Sequence, residues 1–494
     1  MILAVVACLG SAGCEKKAEQ KTEDGIVLKW VCPGPGKQQD SDMVWSKFNE
    51  KLQEYMPGVS VEFEIIPMAD YNEKWKLMSA ASTPIDIAWL GYVNDIQGEI
   101  QKGALLELDD LIDQYAPDYK RIVPDVIKPK YDGKQYLTVN YQMCFAMRYG
   151  IRSLAEYVDN YMDEQQVEAL FQSNNKITQE GIDAIAEYLE KLKQDDKLGT
   201  GVSPTFSWIY QRGYYTPGST SELVFMDYDS DAVYTRCDLP ELSLMHKTLN
   251  EWYQKGYIRE DILSVDNPRD DDNKIGGNVI WVHNDWEGQE KVASEQTGAP
   301  VKIISLDKGT RTNGGSSATC TVLPRTCRYP KESMELINLL CSEKGKELYN
   351  LLVYGIEDVH YKKINDERIE TIGYSGTTTS DNKYGLTKWI MGNTFNSYLT
   401  QTDEDGYLEY IREMTETAVP TRYCGFTFES DPVKTQVAQC KAVVSEYSGL
   451  MLGAHNDYEK LERECNEKLK KAGIDIIRDE VISQYNKWKE ENNA

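Results

Sequence analysis

The amino-acid sequence predicts an α/β protein with a largely parallel sheet, and three of its features point to this fold class. Residues 26–32 and 59–66 alternate apolar and polar side chains, which is the pattern of β-strands. Between them, residues 42–55 place apolar side chains at helical spacing, and Pro57 and Gly58 end that segment. Strand and helix keep alternating as far as residue 112, as in folds built from β-α-β units.

The elements that follow predict more than one domain. Residues 133–145 form a long β-type run, which suits a chain that leaves one lobe for another. The 494 residues correspond to two to four domains at about 150 residues per domain. The other predicted elements are helices at 71–81, around 182–189, at 332–352 and at 456–489, and strands at 85–90, 279–282 and 301–306.

The charge balance excludes several classes of partner. The chain has 54 Lys and Arg residues against 80 Asp and Glu, a formal net charge of −26. Because nucleic acids are bound largely through phosphates paired with Lys and Arg, we expect no nucleic-acid partner. Attachment to anionic lipids by charge alone is disfavoured for the same reason. The 32 Tyr and 10 Trp residues, against 9 Phe, favour surfaces and clefts that contact polar ligands.

The first fourteen residues have the pattern of a lipoprotein signal peptide. Residues 1–13 are mostly apolar and too few to span a bilayer, and small residues stand immediately before Cys14. This pattern resembles the lipobox of bacterial lipoproteins, whose cysteine is diacylated, although Ser11 replaces the usual leucine and no basic residue precedes the run. The charged residues 15–25 are typical of a flexible tether. The alternative for residues 1–14 is a short buried strand or helix.

The remaining cysteines and the histidines do not indicate a metal site. No two of the four histidines lie within one helical turn, and no C-x-x-C pair occurs. The cysteines beyond Cys8 and Cys14 are odd in number, so at least one is a free thiol or pairs between chains. We expect most of them to be small buried apolar residues. They are Cys32, Cys144, Cys237, Cys320, Cys327, Cys341, Cys424, Cys440 and Cys465.

Several segments resemble the family-1 extracellular solute-binding proteins, and the C-terminal region of about 345–490 resembles a lipoprotein subgroup of that family. In residues 83–112 a proline and an aspartate precede a strand, a helix ends in Lys-Gly, and a leucine-rich stretch follows. The segments are TPIDIAWLGYVNDIQGEIQKGALLELDDLI (83–112), NVIWVHNDWEG (278–288), GKELYNLLVYGIEDVHYKK (345–363), KWIMGNTF (388–395), GFTFESDPVKTQVAQCKAVVSEY (425–447) and KLKKAGIDIIRDEVISQYNKW (468–488).

The resemblance implies a periplasmic-binding-protein-like fold of two lobes, each a mainly parallel sheet flanked by helices, with a helical C-terminal extension. Crossover strands join the lobes, and we expect hinges at residues 138–141 and 278–283, where β-type runs separate the lobes. The implied organisation is a signal peptide (1–14), a tether (15–25), a first lobe (26–139 and 280–323), a second lobe (140–279 and 324–430) and a helical C-terminal segment (431–494).

Aromatic and polar residues near predicted strand ends are the candidate ligand-binding residues. Tyr and Trp rings stack on the C–H face of a sugar, while polar side chains bond its hydroxyl groups. Open α/β sheets hold ligands at the carboxyl ends of their strands, and Trp89 satisfies this rule best. For each ring the alternative is ordinary core packing. The candidates are Trp89, Tyr92, Trp208, Tyr215, Trp281, Asp285, Trp286, Trp389 and Asn393.

An acidic run at residues 227–238 has the carboxylate spacing of a calcium loop but fails two requirements. Its sixth position is Ala232 where the turn needs glycine, and its last ligand is Asp238 rather than the usual glutamate. A solvated acidic turn is therefore the favoured interpretation. No G-x-S-x-G or phosphate-binding glycine motif occurs, so we expect no catalytic residues, metal or cofactor.

These patterns predict a solute-binding lipoprotein rather than an enzyme. It would capture a carbohydrate, in particular an oligosaccharide, in an aromatic-lined interlobe cleft and deliver it to the permease subunits of an ABC transporter. We expect a monomer that Cys14 anchors at the extracellular face of a bacterial cytoplasmic membrane. The alternatives are a secreted glycoside hydrolase, which needs only two carboxylates beside a cleft, and a surface saccharide-binding protein without a transporter.

Overall fold

The structure is a computed structural model of the chain. It describes residues 25–131, 133–142, 148–285, 288–313, 317–373 and 382–492. Four of the sequence predictions concern residues outside these ranges: the signal peptide with Cys14, nearly all of the tether, Cys144 and Trp286.

Strands and helices alternate through most of the chain, as the sequence predicts. The strands are Ile26–Gly34 (β1), Val59–Pro67 (β2), Ile87–Gly91 (β3), Thr138–Val139 (β4), Tyr149–Leu154 (β5), Gly201–Val202 (β6), Tyr214–Tyr215 (β7), Val224–Asp227 (β8), Val233–Thr235 (β9), Asn278–Asn284 (β10), Val301–Ser305 (β11), Arg311–Thr312 (β12), Thr319–Val322 (β13), Tyr361–Lys363 (β14), Arg368–Thr371 (β15), Leu399–Thr400 (β16) and Val419–Pro420 (β17). The helices are Ser41–Leu52 (α1), Met68–Ala80 (α2), Ile96–Gln101 (α3), Asp109–Tyr115 (α4), Pro117–Ile122 (α5), Ala155–Tyr161 (α6), Glu164–Gln172 (α7), Gln179–Gln194 (α8), Pro240–Gln254 (α9), Gln289–Thr297 (α10), Pro330–Cys341 (α11), Lys346–Tyr354 (α12), Tyr407–Thr417 (α13), Lys434–Glu446 (α14), Tyr458–Ala472 (α15) and Ile474–Asn492 (α16).

The first lobe is built around a five-stranded sheet with the strand order β2-β1-β3-β13-β4. Strands β1, β2 and β3 are parallel, whereas β13 runs antiparallel to both β3 and β4. Residues of β3 and of the second half of β1 are buried on both faces of this sheet, so these stretches are continuously apolar and the alternation expected for β1 is limited to its first half. Helices α1, α11 and α12 contribute to the same core.

The second lobe contains a four-stranded sheet with the order β11-β5-β10-β6. Strand β5 is antiparallel to both β10 and β11, and only β6 is parallel to its neighbour. The prediction of a mainly parallel sheet in each lobe is therefore wrong for this lobe. Helix α8 covers the sheet with Ile182, Ile185 and Leu189, the apolar stripe seen in the sequence, and Thr178 caps its first turn.

The structure divides the chain between the lobes differently from the predicted boundaries. Strands β10 and β11 belong to the second sheet, so residues 280–305 leave the first lobe. Helices α11, α12 and α13 belong to the first lobe, since Leu336, Leu340, Leu352 and Ile411 are buried in its core. Short local patterns establish that such elements are apolar on one side but not which core buries them.

The C-terminal helices, α14 to α16, form a third core with the β7-β8-β9 hairpin sheet of the second lobe. Leu469, Ile477 and Val481 are buried there against Leu223 and Val224. The predicted helical tail is thus confirmed, but it is two helices rather than one. Gly473, with a φ of 92°, separates α15 from α16.

Two of the connections between the lobes meet one edge of the first sheet. Strand β13 begins opposite Gly91, the last residue of β3, and β4 ends beside the start of β13. The chain therefore leaves the first lobe after β4, and returns to it before β13, at the carboxyl edge of β1, β2 and β3. A third connection follows α13, where β17 pairs with β12. The hinge predicted at residues 278–283 is wrong, because this segment is β10, in the interior of the second sheet.

Candidate functional site

An interlobe cleft is defined by two facing sheet edges. On the first lobe it is the carboxyl edge of β1, β2 and β3. On the second lobe it is the edge at which β5 begins and β10 and β11 end, as the pairing of Tyr149 with Asn284 and of Gly150 with Ser305 shows. Residues placed immediately after β3 and β10 therefore stand at this cleft, where open sheets of this class hold their ligands.

The aromatic cluster on the first-lobe side consists of Trp89, Tyr92 and Trp389. The Trp89 ring is fully buried, and its centroid lies 6.1 Å from that of Tyr92 and 6.2 Å from that of Trp389. The rings of Tyr92 and Trp389 are 6.3 Å apart. Tyr92 is 64 % exposed and Trp389 is partly exposed. Trp89 therefore lies beneath the two outer rings, which form the accessible surface of the cluster.

Hydrogen bonds hold Trp89 in place. Its indole N–H donates to Thr319 Oγ1 at 2.9 Å, and the Tyr71 hydroxyl donates to its carbonyl oxygen at 2.6 Å. The Thr319 hydroxyl in turn donates to the carbonyl oxygen of Trp389 at 2.8 Å. Because Thr319 is the first residue of β13, one side chain joins the returning connection to both tryptophans.

Gly91 makes the arrangement of the Trp89 ring possible. A Cβ added at this position would lie 2.2 Å from the Trp89 ring and 2.4 Å from the carbonyl oxygen of Ala318. These separations are far below van der Waals contact, so a larger residue would displace the ring or the adjoining strand. The ring can fold back across the end of β3 only because position 91 has no side chain.

Asp285 lies on the second-lobe side of the cleft, just after β10. Its carboxylate forms an ion pair with Arg148 Nε at 2.9 Å, and its backbone N–H donates to the Arg148 carbonyl oxygen at 2.7 Å. Arg148 also donates from Nη2 to the Tyr410 hydroxyl at 3.3 Å. Nearby, burial lowers the pKa of Arg152 to about 10, and the charge of Asp285 opposes this decrease. A polar, charged wall thus faces the aromatic one.

Helix α13 connects the two walls. The Lys388 ammonium, next to Trp389 in the chain, lies 5.5 Å from the centroid of the Tyr407 ring. A Cβ at Gly288 would be 3.6 Å from the same ring, so α13 also reaches the segment that follows Asp285. Trp286 stands in this segment by sequence and lies outside the described residues.

Four of the predicted site residues do not join this cluster. Trp281 is buried with Ala293 and Val301 in a small core of the second lobe. Asn393 is 5 % exposed, donates to the Cys341 carbonyl oxygen and accepts from the Phe395 N–H, so it is a cap inside the first lobe. Tyr215 stacks on Tyr423 at 5.5 Å in the C-terminal core. Trp208 lines a separate cavity beside the C-terminal helices.

Sequence reasoning missed the residues that organise the cleft through other side chains. Tyr407 and Tyr410 are three positions apart on one helix face, a spacing that could have marked them. Arg148 follows the run predicted to leave the first lobe, which is a second available signal. Thr319 and Lys388 have no sequence pattern that distinguishes them, because their roles depend on pairing between distant strands and rings.

Three carboxylates of the acidic run at residues 227–238 are engaged by other groups of the protein. Asp227 is paired with Lys176 at 2.6 Å, Asp231 with Arg422 at 3.1 Å, and Asp238 accepts the Thr235 N–H. Within the described residues, no group of three or more His, Cys, Asp or Glu side chains could hold a metal ion.

The cysteines behave as buried apolar residues. Of the eight described cysteines, five are buried. Burial raises the pKa of Cys32 and of Cys341 to about 12, so neither is a thiolate at neutral pH. Within the described part of the chain, no helix combines the length and the apolar character needed to cross a membrane.

Comparison with known proteins places this architecture among solute-binding proteins. Residues 422–490 match the family described as Domain of unknown function (DUF3502), which is the last part of the C-terminal region recognised in the sequence. Over 497 residues the chain is 23 % identical to a carbohydrate ABC transporter substrate-binding protein of Streptococcus pneumoniae, and the match covers 98 % of this chain and 95 % of that protein.

Solved structures show the same relationship at the level of the fold. The crystal structure of the N-glycan transport solute binding protein NgtS from Streptococcus pneumoniae matches with a TM-score of 0.78 and 19 % identity, covering 94 % of this chain and 100 % of that one. The structure of that protein in complex with Man1GlcNAc matches with a TM-score of 0.69 and 20 % identity, covering 93 % and 99 %. The resemblance predicted from the sequence motifs is confirmed, and the chain has the periplasmic-binding-protein-like fold of extracellular solute-binding proteins.

Proposed function

We propose that this protein is the solute-binding component of a carbohydrate ABC importer and that it captures an oligosaccharide in the interlobe cleft. The observation that carries the proposal is the pair of accessible rings, Tyr92 and Trp389, held over buried Trp89 where the two lobes meet. The similarity to a carbohydrate ABC transporter substrate-binding protein supports the proposal. The complex of NgtS with Man1GlcNAc favours a mannose-containing oligosaccharide as the ligand.

The two walls of the cleft match the two surfaces of a sugar. Tyr92 and Trp389 offer flat rings that pack on the apolar C–H face. Lys388, Arg148 and Asp285 offer charged donors and acceptors for the hydroxyl rim, and charge-assisted hydrogen bonds are the stronger ones. Because the walls belong to different lobes, a ligand that contacts both would hold the lobes together.

We infer binding without hydrolysis from the state of Asp285. A glycoside hydrolase needs one carboxyl group as acid and a second as nucleophile or base. Asp285 Oδ2 lies 2.9 Å from Arg148 Nε, so this carboxylate is already engaged in an ion pair. The protein would therefore release its sugar unchanged to the permease subunits of the importer.

The experiment is calorimetric titration of a panel of mannose-containing oligosaccharides against three alanine variants. Tyr92→Ala and Trp389→Ala should each weaken binding by about 1–3 kcal/mol, the range measured when rings that stack on flat ligands are removed. Tyr55→Ala is the matched control, because Tyr55 is an exposed tyrosine near the amino end of β2, on the opposite edge of the same sheet. It should bind like the wild type.

Equal affinities for all four proteins would contradict the assignment of the cleft. Deletion of the permease genes alone gives a second test. If the protein still binds the oligosaccharide but uptake is the same with and without the permease genes, the result would instead favour a surface saccharide-binding protein.

Cys14 is the proposed lipid anchor, with residues 15–25 as the tether of a monomer at the outer face of the cytoplasmic membrane. A diacylated cysteine holds a protein stably, whereas a single acyl chain does not. Cys14→Ser should therefore move the protein from the membrane fraction to the soluble fraction in a bacterial host that processes lipoproteins. Retention of the variant on the membrane would contradict the anchor and leave the cleft proposal untouched.

A further inference from the structure

A second cavity lies between the second lobe and the C-terminal helices. Its volume is about 500 Å³, which is within the range of small-molecule sites. One wall is the 3-10 helix Pro204–Gln211 together with residues 221–223, and the other is the end of α14 and the turn after it. The cavity therefore exists only where the C-terminal helices cover the second lobe.

Arg236 is the unusual residue of this cavity. It follows β9, its backbone N–H donates to the Leu223 carbonyl oxygen at 2.8 Å, and its side chain is 7 % exposed. Its Nη1 donates to the Glu222 carbonyl oxygen at 3.3 Å. Within the described part of the chain, no carboxylate oxygen lies within 4.0 Å of a guanidinium nitrogen of Arg236, so Arg236 forms no ion pair there. Burying a guanidinium without a carboxylate partner costs free energy. The chain has 80 acidic residues, so the lack of an acidic partner is unexpected.

The nearby carboxylate of Glu462 does not fill this role. Its Oε1 accepts from Ser243 Oγ at 2.8 Å and lies 2.8 Å from His246 Nδ1. Tyr210 is the closer neighbour, since the positive charge of Arg236 opposes the rise in the Tyr210 pKa that burial causes. Arg236 thus lines the cavity with donors that the protein itself does not match with a negative charge.

The rest of the lining suits a small hydroxylated ring. Trp208 is 41 % exposed, and Arg269 lies over its ring at 5.1 Å. A Trp face of this kind packs on a sugar ring, and serine hydroxyls donate to and accept from its hydroxyl groups. The serines of the lining are Ser207, Ser221, Ser445 and Ser448.

The charge of the lining selects the class of ligand. Arg236 and Lys441 supply two positive charges and Glu222 supplies one negative charge, so the lining is singly positive. We propose that this cavity binds an acidic monosaccharide of the hexuronate class, with its carboxylate on Arg236 and its ring beside Trp208. A singly charged carboxylate balances this lining, whereas a doubly charged phosphate monoester exceeds it. Arginine binds carboxylates through two parallel hydrogen bonds, which would fix the orientation of the ligand.

The test is calorimetric titration of the full-length protein with D-glucuronate, with D-glucose as the neutral match and D-glucose 6-phosphate as the doubly charged match. D-glucuronate should bind at least about tenfold more tightly than either. Arg236→Gln should weaken D-glucuronate binding by about tenfold or more, and Lys441→Gln and Trp208→Ala by smaller factors. Because Arg236→Gln removes a buried charge, the melting temperature of this variant is measured first without ligand. If it does not fold, the D-glucuronate affinities of Lys441→Gln and Trp208→Ala provide the test.

Tyr92→Ala separates this proposal from that of the interlobe cleft. The variant should bind D-glucuronate like the wild type while its oligosaccharide affinity falls. No binding of D-glucuronate, equal binding of D-glucose, tighter binding of D-glucose 6-phosphate, or D-glucuronate binding lost only in Tyr92→Ala would each overturn the assignment of the second cavity. The first three of these results leave oligosaccharide capture between the lobes untouched, whereas the last would place D-glucuronate in the interlobe cleft.

Discussion

Trp89 and Tyr92 show at the scale of single residues how burial separates two aromatic side chains that a sequence pattern treats alike. Trp89 is enclosed by Tyr71, Tyr92 and Trp389 and bonded to Thr319, so removing its ring leaves a cavity and removes one hydrogen bond to the Thr319 hydroxyl. We expect Trp89→Ala to lower the free energy of unfolding by about 3–5 kcal/mol, and Tyr92→Ala to change it by less than about 0.5 kcal/mol.

Urea unfolding of the ligand-free variants measures both values. A stable Trp89→Ala protein that has lost only ligand binding would show that the ring contacts the ligand directly, as the strand-end position alone suggests.

His246 gives a prediction about pH at the same scale. Burial lowers the pKa of this imidazole from its ordinary value of 6.5, and its Nδ1 lies 2.8 Å from Glu462 Oε1. Below pH 6.5 the unfolded chain takes up a proton on this side chain that the folded chain does not, so the free energy of unfolding decreases as the pH falls. For one such group the decrease is at most about 1.4 kcal/mol per pH unit.

Urea unfolding at pH 7 and pH 5 compares the wild type with His246→Gln. Burial also lowers the pKa of His360, so among the described histidine side chains the wild type has two such groups and the variant has one. The variant should therefore lose less stability between the two pH values. An identical loss in both proteins would show that His246 is protonated equally in the folded and unfolded chains.

At the scale of elements, the junction of α15 and α16 shows what a periodic pattern leaves out. Gly473 adopts a φ of 92°, a left-handed conformation that costs other residues about 1–2 kcal/mol. A Cβ there would also lie 2.9 Å from the flexible side chain of Gln436. We expect Gly473→Ala to lower the free energy of unfolding by about 1–2 kcal/mol, measured by urea unfolding.

Gly373 provides the control, because it has a φ of 69° with open space around its Cβ position. The two variants should be destabilised to a similar degree if backbone strain dominates. A much larger loss at Gly473 would show that crowding against α14 is the main cost.

The sequence predicts elements better than it predicts their partners. Strands β1 and β2, helix α8 and the C-terminal helices agree with their apolar periodicity, which is a local property. Strand β10 was placed in the wrong lobe, because its apolar residues would suit either core. In the candidate site, Tyr92 and Trp389 come together because β13 pairs with β3 and its Thr319 bonds to Trp389. No local sequence pattern contains this pairing of distant strands. Strand-end position alone could not say which ring at this edge is buried.

At the scale of the whole molecule, the geometry of the connections determines how the lobes can move. Asp307 follows β11 and accepts the Tyr149 N–H at 2.7 Å, while Arg212 Nε donates to its other carboxylate oxygen at 3.0 Å. These hydrogen bonds fix the points at which two connections leave the second lobe. Bending is therefore expected between the end of β4 and Tyr149, and between Asp307 and the start of β13. Each sheet would move as a rigid body.

Solution scattering with and without the tightest-binding oligosaccharide tests this motion. A ligand that contacts both walls of the cleft stabilises the closed arrangement, so the radius of gyration should decrease on binding. Tyr92→Ala at the same ligand concentration should show less compaction, because less of it is bound. Mass analysis of the recovered ligand completes the test, because a binding protein returns its ligand intact and a cleaved oligosaccharide would indicate a hydrolase. In the scattering experiment, binding without compaction would indicate a rigid surface protein.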